Sequence, residues 1–140
     1  MSLTPLTLFN QVEEKLREIA ESIQNVAQVS VAETESFQSP RVFVWIREGR
    51  SEDTGISGFK RLHIWRFEYV VDVVHPDPAT AYQEVKRIHW ELYQRLMEDR
   101  TLGGLVSSLQ PASYFRREEL QPTQGYGHRW VMQVDVSVEV

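Results

Sequence analysis

"RLHIWRFEYVVDVVH", residues 61–75, decides the fold. Trp65, Phe67, Tyr69, Val71 and Val73 fall on one face, while Arg66, Glu68 and Asp72 share the other with Ile64 and Val70. Strand side chains alternate between two faces, so this is a long strand with one apolar face and one mixed face. Upstream, "SPRVFVWIREG" (39–49) is a second strand, with Pro40 at its start, where a missing N–H does least harm. The segment between them, "GRSEDTGISGFK" (49–60), carries three glycines and mixed charges and predicts a long, poorly ordered loop. Together they form a hairpin whose tip stands away from the core.

Before the hairpin the period is helical. Phe9, Val12, Leu16, Ile19 and Ile23 recur at spacings of three and four, behind a Thr4-Pro5 start signal. Glu13, Glu14, Arg17, Glu18 and Glu21 occupy the opposite face, which predicts a surface helix on a sheet. Ala27, Val29 and Val31 then alternate as a short strand. After the hairpin, Pro76 and Pro78 open a second helix, "PATAYQEVKRIHWELYQRLMED" (78–99), with Ala81, Val85, Ile88, Leu92 and Leu96 as its core stripe. Trp90 and Met97 lie more than a quarter turn off that stripe and need another element or another subunit to cover them.

"MEDRTLGGLVSSLQP" (97–111) contains a glycine pair. Leu102, Leu105, Val106 and Leu109 fall at i, i+3, i+4 and i+7, which predicts a short third helix capped by Thr101 and stopped by Pro111. Gly103 and Gly104 then sit in its first turn and allow close backbone approach. A phosphate-binding loop needs a preceding strand and usually a following lysine; here a helix precedes and no lysine follows. Two strands complete the chain, "ASYFRREEL" (112–120) and "WVMQVDVSVEV" (130–140). The expectation is one α+β domain over residues 1–140, in the order α-β-β-β-α-α-β-β, with an antiparallel or mixed sheet and helices on one face.

Composition narrows the function. The 140 residues carry a formal charge of −5, which disfavours non-specific binding to phosphate backbones. The chain has no cysteine, hence no disulfide framework and no thiolate metal site. No apolar run is long enough to span a bilayer and no secretory signal is visible, so the expected origin is cytoplasmic. His63, His75, His89 and His128 show no metal-ligand spacing, and Ser107-Ser108 has no nucleophile elbow around it. The paired acids Glu13-Glu14, Glu52-Asp53 and Glu118-Glu119 read as solvated faces. Basic residues Arg41, Arg47, Arg50, Lys60, Arg61 and Arg66 interleave with Phe43, Trp45, Phe59 and Trp65 on the hairpin. That composition suits single-stranded nucleic acid, but without a recognition motif the aromatics read as core and the arginines as edge protection. The residues thus single out no catalytic, cofactor or metal site, although two distant carboxylates could still serve a glycosidase.

The helix running into "EDRTLGGLVSSLQPASYF", the long-loop hairpin and the closing strand "RWVMQVDVSVEV" resemble the tail-terminator and minor-tail (tail-completion) proteins of long-tailed bacteriophages, from Phe9 to Val140. The resemblance implies a small structural virion protein at the tail–head junction, assembled in the host cytoplasm. It implies a homo-oligomeric ring, usually a hexamer, that caps the tail tube, ends its polymerisation and joins it to the head–tail connector. It implies a non-enzyme, with no catalytic residue, no cofactor, no metal, no specific nucleic-acid recognition and no membrane. Candidate interface residues are Trp90, Met97, Arg50, Glu52, Asp53, Lys60 and Arg61; candidate lumen-facing acids are Asp72, Asp135 and Glu139. The alternatives are another neck or head-completion protein of the virion, or a small enzymatic or ligand-binding domain with a deep pocket.

Overall fold

The computed structural model describes residues 4–53 and 61–140. Helix α1 spans Pro5–Glu21; Thr4 caps it, accepting from the Thr7 N–H at 3.1 Å, and Pro5 fills the first turn. Strands β1 (Gln28–Val31), β2 (Arg41–Asp53) and β3 (Arg61–His75) follow. Helix α2 runs from Pro78 to Glu98, and β4 (Ser108–Leu120) and β5 (Tyr126–Glu139) complete the chain. The Asp77 carboxylate caps α2, accepting from the Thr80 hydroxyl at 2.7 Å and the Thr80 N–H at 2.9 Å, and these bonds lower its pKa.

The five strands form one mixed sheet in the order β1-β2-β3-β5-β4. β1 pairs with β2 in parallel, and every other pairing is antiparallel. Both helices pack on the face bearing Trp65, Phe67, Tyr69, Val71, Met132 and Val134. Helix α1 lies over β1 and β2, and α2 over β3, β5 and β4. The α+β fold with helices on one face is as the sequence implies. The alternation on β3 and β5 and the stripe of α2 also hold, with all five stripe residues buried. On α1 the buried stripe is Leu8, Val12, Leu16 and Ala20, and Phe9 and Ile19 flank it half-buried.

One hydrogen bond ties α1 to the sheet. The buried Tyr69 hydroxyl donates to the Leu16 carbonyl oxygen at 2.6 Å. Tyr69→Phe should lower stability by about 1–2 kcal/mol. Urea unfolding checks this; a change below a few tenths would mean the bond adds nothing.

Two segments differ from expectation. Residues 49–53 are not loop: Arg50, Ser51 and Glu52 pair with Ile64, His63 and Leu62, so β2 extends to Asp53. Glycine and charge did not stop the ladder, because β3 stays in register with β5 as far as Leu62 and Glu139. The rest of that predicted loop, residues 54–60, lies outside the described residues. The short third helix does not form either, and the order is α-β-β-β-α-β-β. Leu102, Gly103 and Gly104 have φ of 50°, 69° and 89°, a left-handed run that breaks a right-handed helix. The Asp99 and Thr101 side chains accept from the Gly103 and Gly104 N–H groups at 2.9 and 3.1 Å. Arg100 donates across the corner to the Leu109 carbonyl at 2.5 Å. Leu102, Val106 and Leu109 are still buried, so the helical spacing is met by a tight turn.

The glycines do not permit close approach, since a Cβ on either would meet nothing within 4 Å. Their role is the positive φ. Gly104→Val should therefore cost about 1–3 kcal/mol through backbone strain, not through a clash. Thermal melting checks the cost, and added nucleotide should leave the transition unmoved in both proteins. A nucleotide-dependent rise lost in the variant would overturn the corner reading.

Candidate functional site

The helix-free face of the sheet gathers most of the chain's paired charges. At its β1 end, Asp72 is fully buried between two guanidinium groups. Arg41 reaches it at 2.6 Å and Arg129 at 2.8 Å, and Arg129 also binds Glu33 at 2.9 Å. Hydrogen bonding to Asp72 is the largest cause of a raised pKa on Arg129. Arg41 donates further to the carbonyls of Thr34 and Ser36, so the cluster also pins the loop after β1. Beside it, Phe43, Val70 and Val131 form a small second core. The Arg41 and Arg129 guanidiniums lie 5.2 and 5.6 Å from the Phe43 ring, and Trp45 meets that ring edge-on at 5.1 Å. The Trp45 indole N–H donates to Glu68 at 3.2 Å.

Toward the hairpin the same face opens into a trough of about 490 Å³. Arg66 crosses its floor, bound to Glu48 at 2.6 Å and to Asp135 at 3.0 Å. Ser108, Gln110 and Ser137 line the rest, with Arg50 at the rim. A bulge between Ile46 and Glu48 returns Glu48 to the face of Trp45.

The three candidate acids share this face. Asp72 pairs in register with Arg129, Asp135 with Arg66, and Glu139 with Leu62. They differ in what they offer. Asp72 is buried and neutralised, Asp135 is half-exposed and paired with Arg66, and Glu139 is exposed. The hairpin's basic–aromatic set does not make a stacking platform. Phe43 and Trp65 are buried on opposite faces, and Arg41 and Arg66 are held by acids. Phe59 and Lys60 lie outside the described residues, as does the Asp53 side chain. Arg50 and Glu52 are exposed and pair with each other at 3.5 Å, and Arg61 is exposed at the start of β3.

Trp90 and Met97 stand on the outer side of α2, 44% and 42% exposed. Trp90 continues an aromatic chain, with ring centroids 5.6 Å from Tyr93 and 5.8 Å from Phe115. Phe115 stacks on Trp130 at 4.5 Å, and His89 is enclosed by Trp90, Phe115 and Trp130. The His89 Nδ1 has no hydrogen-bond partner, and burial pushes its pKa down to about 4. Sequence reasoning missed this residue, which shares a helix with the stripe but reads as rim.

Among the described residues, burial is the leading cause of a shifted pKa at one imidazole, His89, downward, and at one carboxyl, Glu13, upward. Neither lines the trough. Among the described residues no group of three His, Asp or Glu is placed to hold a metal ion, and no helix is long and apolar enough to cross a membrane. What the geometry builds is an α+β sheet domain with one helix-covered face, one salt-bridged face and exposed aromatic side chains at an edge.

No protein-family model and no curated protein matches the chain. The fold is similar to that of a chain in the virion of a native gene transfer agent particle, with a TM-score of 0.53 and 12% identity over 92% of this chain and 95% of that one. A chain of the sheath/tube terminator of an extracellular contractile injection system, PVC, in its extended state, is also similar, at 14% identity over 99% of this chain and 58% of that one. Its TM-score of 0.40 lies below that of a shared fold.

Proposed function

We propose that the chain is a structural subunit of a phage-type virion, of the tail-terminator kind, with no catalytic role. In this reading it assembles with copies of itself into a ring, a hexamer as the resemblance implies. The ring caps the tail tube at its head-proximal end, ends polymerisation and meets the head–tail connector. The observation that carries the reading is that Trp90 and Met97 stand exposed on a chain with the fold of a virion subunit. A scaffold protein needs such surfaces and needs no convergent polar pocket.

The helix-free face suits the lumen of that ring. Asp135 and Glu139 lie on it, and the arginines near them are already engaged or at the rim. A lining of acids and paired arginines repels phosphate more than it binds it, so DNA passes without sticking. The hairpin residues Arg50, Glu52 and Arg61 then face the tube or the connector.

Solution mass measured over a range of concentrations, with negative-stain images with and without tube protein, tests this. The expected result is a monomer when dilute, and rings with a central hole at high concentration or on tube ends. Binding to neck components but not to tube ends would instead make it a neck or head-completion protein. A monomer that binds neither would end the virion reading.

A further inference from the structure

Two edges of the molecule carry different but complementary surfaces. On the α2–β4 side, Trp90 and Met97 are exposed, and Lys86 stands one helical turn before Trp90. Arg117 lies on the same side of β4, two residues from Phe115, whose ring touches Trp90. Lys86 rests over the Tyr82 ring at 5.2 Å, and among the described residues neither cation has an ion pair. On the α1–β2 side, Leu6 and Ile46 are 69% and 39% exposed. Glu13 sits two turns along α1 from Leu6. Phe9 lies between them with its ring 5.5 Å from Phe67, the register partner of Ile46. Glu13 has no ion pair among the described residues, and burial raises its pKa. These edges lie at opposite ends of the strand order, because α1 covers β1 and β2 while α2 covers β3, β5 and β4.

We propose that copies of this chain associate head to tail. The α2–β4 edge of one copy, with Trp90 and Met97, seats on the α1–β2 edge of the next, where Leu6 and Ile46 lie beside Glu13. The proposal rests on the ring reading and supplies its contact. Unmatched cations meet an unmatched acid around apolar anchors, which is the charge complementarity an interface uses for register. Two different patches on opposite edges make a heterologous contact, the kind that closes into rings.

The chain's lack of cysteine gives a clean test. Glu13→Cys and Lys86→Cys subunits, differently tagged, are oxidised alone and mixed at high concentration, with and without tube protein. Each variant's melting curve is compared with that of the parent. The expected result is a cross-link between the two tags in the mixture and little within either variant alone. Separately, Lys86→Glu should weaken association about tenfold, and Lys86→Glu with Glu13→Lys should restore it. Lys86→Cys subunits cross-linking to one another would show a two-fold contact and overturn the proposal. Rings on tube ends without the mixed cross-link would overturn the proposal and leave the ring reading standing. The mixed cross-link in oligomers that ignore the tube would support the proposal and remove the terminator role. Absence of association in every condition overturns both.

Discussion

Asp72→Ala should destabilise the subunit by about 3–5 kcal/mol, the largest effect expected of any single polar substitution here. Asp72 is fully buried and holds two guanidinium groups at 2.6 and 2.8 Å. Removing it leaves Arg41, 7% exposed, without its principal counter-ion. The Glu33 carboxylate is 3.9 Å from Arg41, too far to replace the lost bond. Arg41 is also the hub for the Thr34 and Ser36 carbonyls, so the loop after β1 should loosen with it. The comparison is Asp135→Ala. Its bond to Arg66 lies at the half-exposed trough floor, where solvent screening keeps the loss small. Urea unfolding of both variants decides the matter. Equal, small losses would mean that the buried cluster contributes no more than a surface pair.

That cluster also marks where sequence reasoning stopped. The alternation of Trp65 to Val73 and of Trp130 to Val138 gave the strands and the buried face, because one side chain in two must leave water. Asp72 read as a free acid on the polar face. Its partners Arg41 and Arg129 lie 31 and 57 residues away, and only the pairing of β2 and β5 on either side of β3 brings them together. Strict alternation along β2 would set Arg47 on the face of Trp45. The bulge after Ile46 puts Glu48 there instead, and a bulge leaves no trace in hydrophobic alternation. Around Leu102 the spacing was right and the conformation wrong, because a compact turn and one helical turn can bury the same residues. Trp90 and Met97 were legible for the opposite reason. Their angle on α2 follows from local helix geometry alone, and a stripe already filled by Val85, Ile88 and Leu92 left them outside.

Stability should fall as the pH drops from about 6.5 toward 4, and His89 should account for a large share of the fall. The imidazole is 2% exposed, its Nδ1 lacks a partner, and Trp90, Phe115 and Trp130 surround it. Its folded pKa is about 4, below the ordinary value of 6.5. Above 6.5 both folded and unfolded chains carry a neutral His89, and the contribution is complete. Below 6.5 the unfolded chain takes up a proton that the folded chain refuses, so stability is lost until the pH passes the folded value. The full span corresponds to about 3 kcal/mol. Carboxylates titrate at the lower end of this window, and Glu13, whose folded pKa is raised, acts in the opposite sense. The informative quantity is therefore the difference between the parent and His89→Leu, measured by urea unfolding at pH 7, 6, 5 and 4.5. The leucine variant removes the proton acceptor and keeps an apolar group among the rings. The expected result is a steeper decline in the parent between pH 6.5 and 4.5, with the gap closing or reversing as the pH falls. Parallel curves would show that His89 is protonated as readily in the folded subunit as in the unfolded chain. The aromatic enclosure, and with it the packing that holds Trp90 at the surface, would then be looser than the geometry indicates.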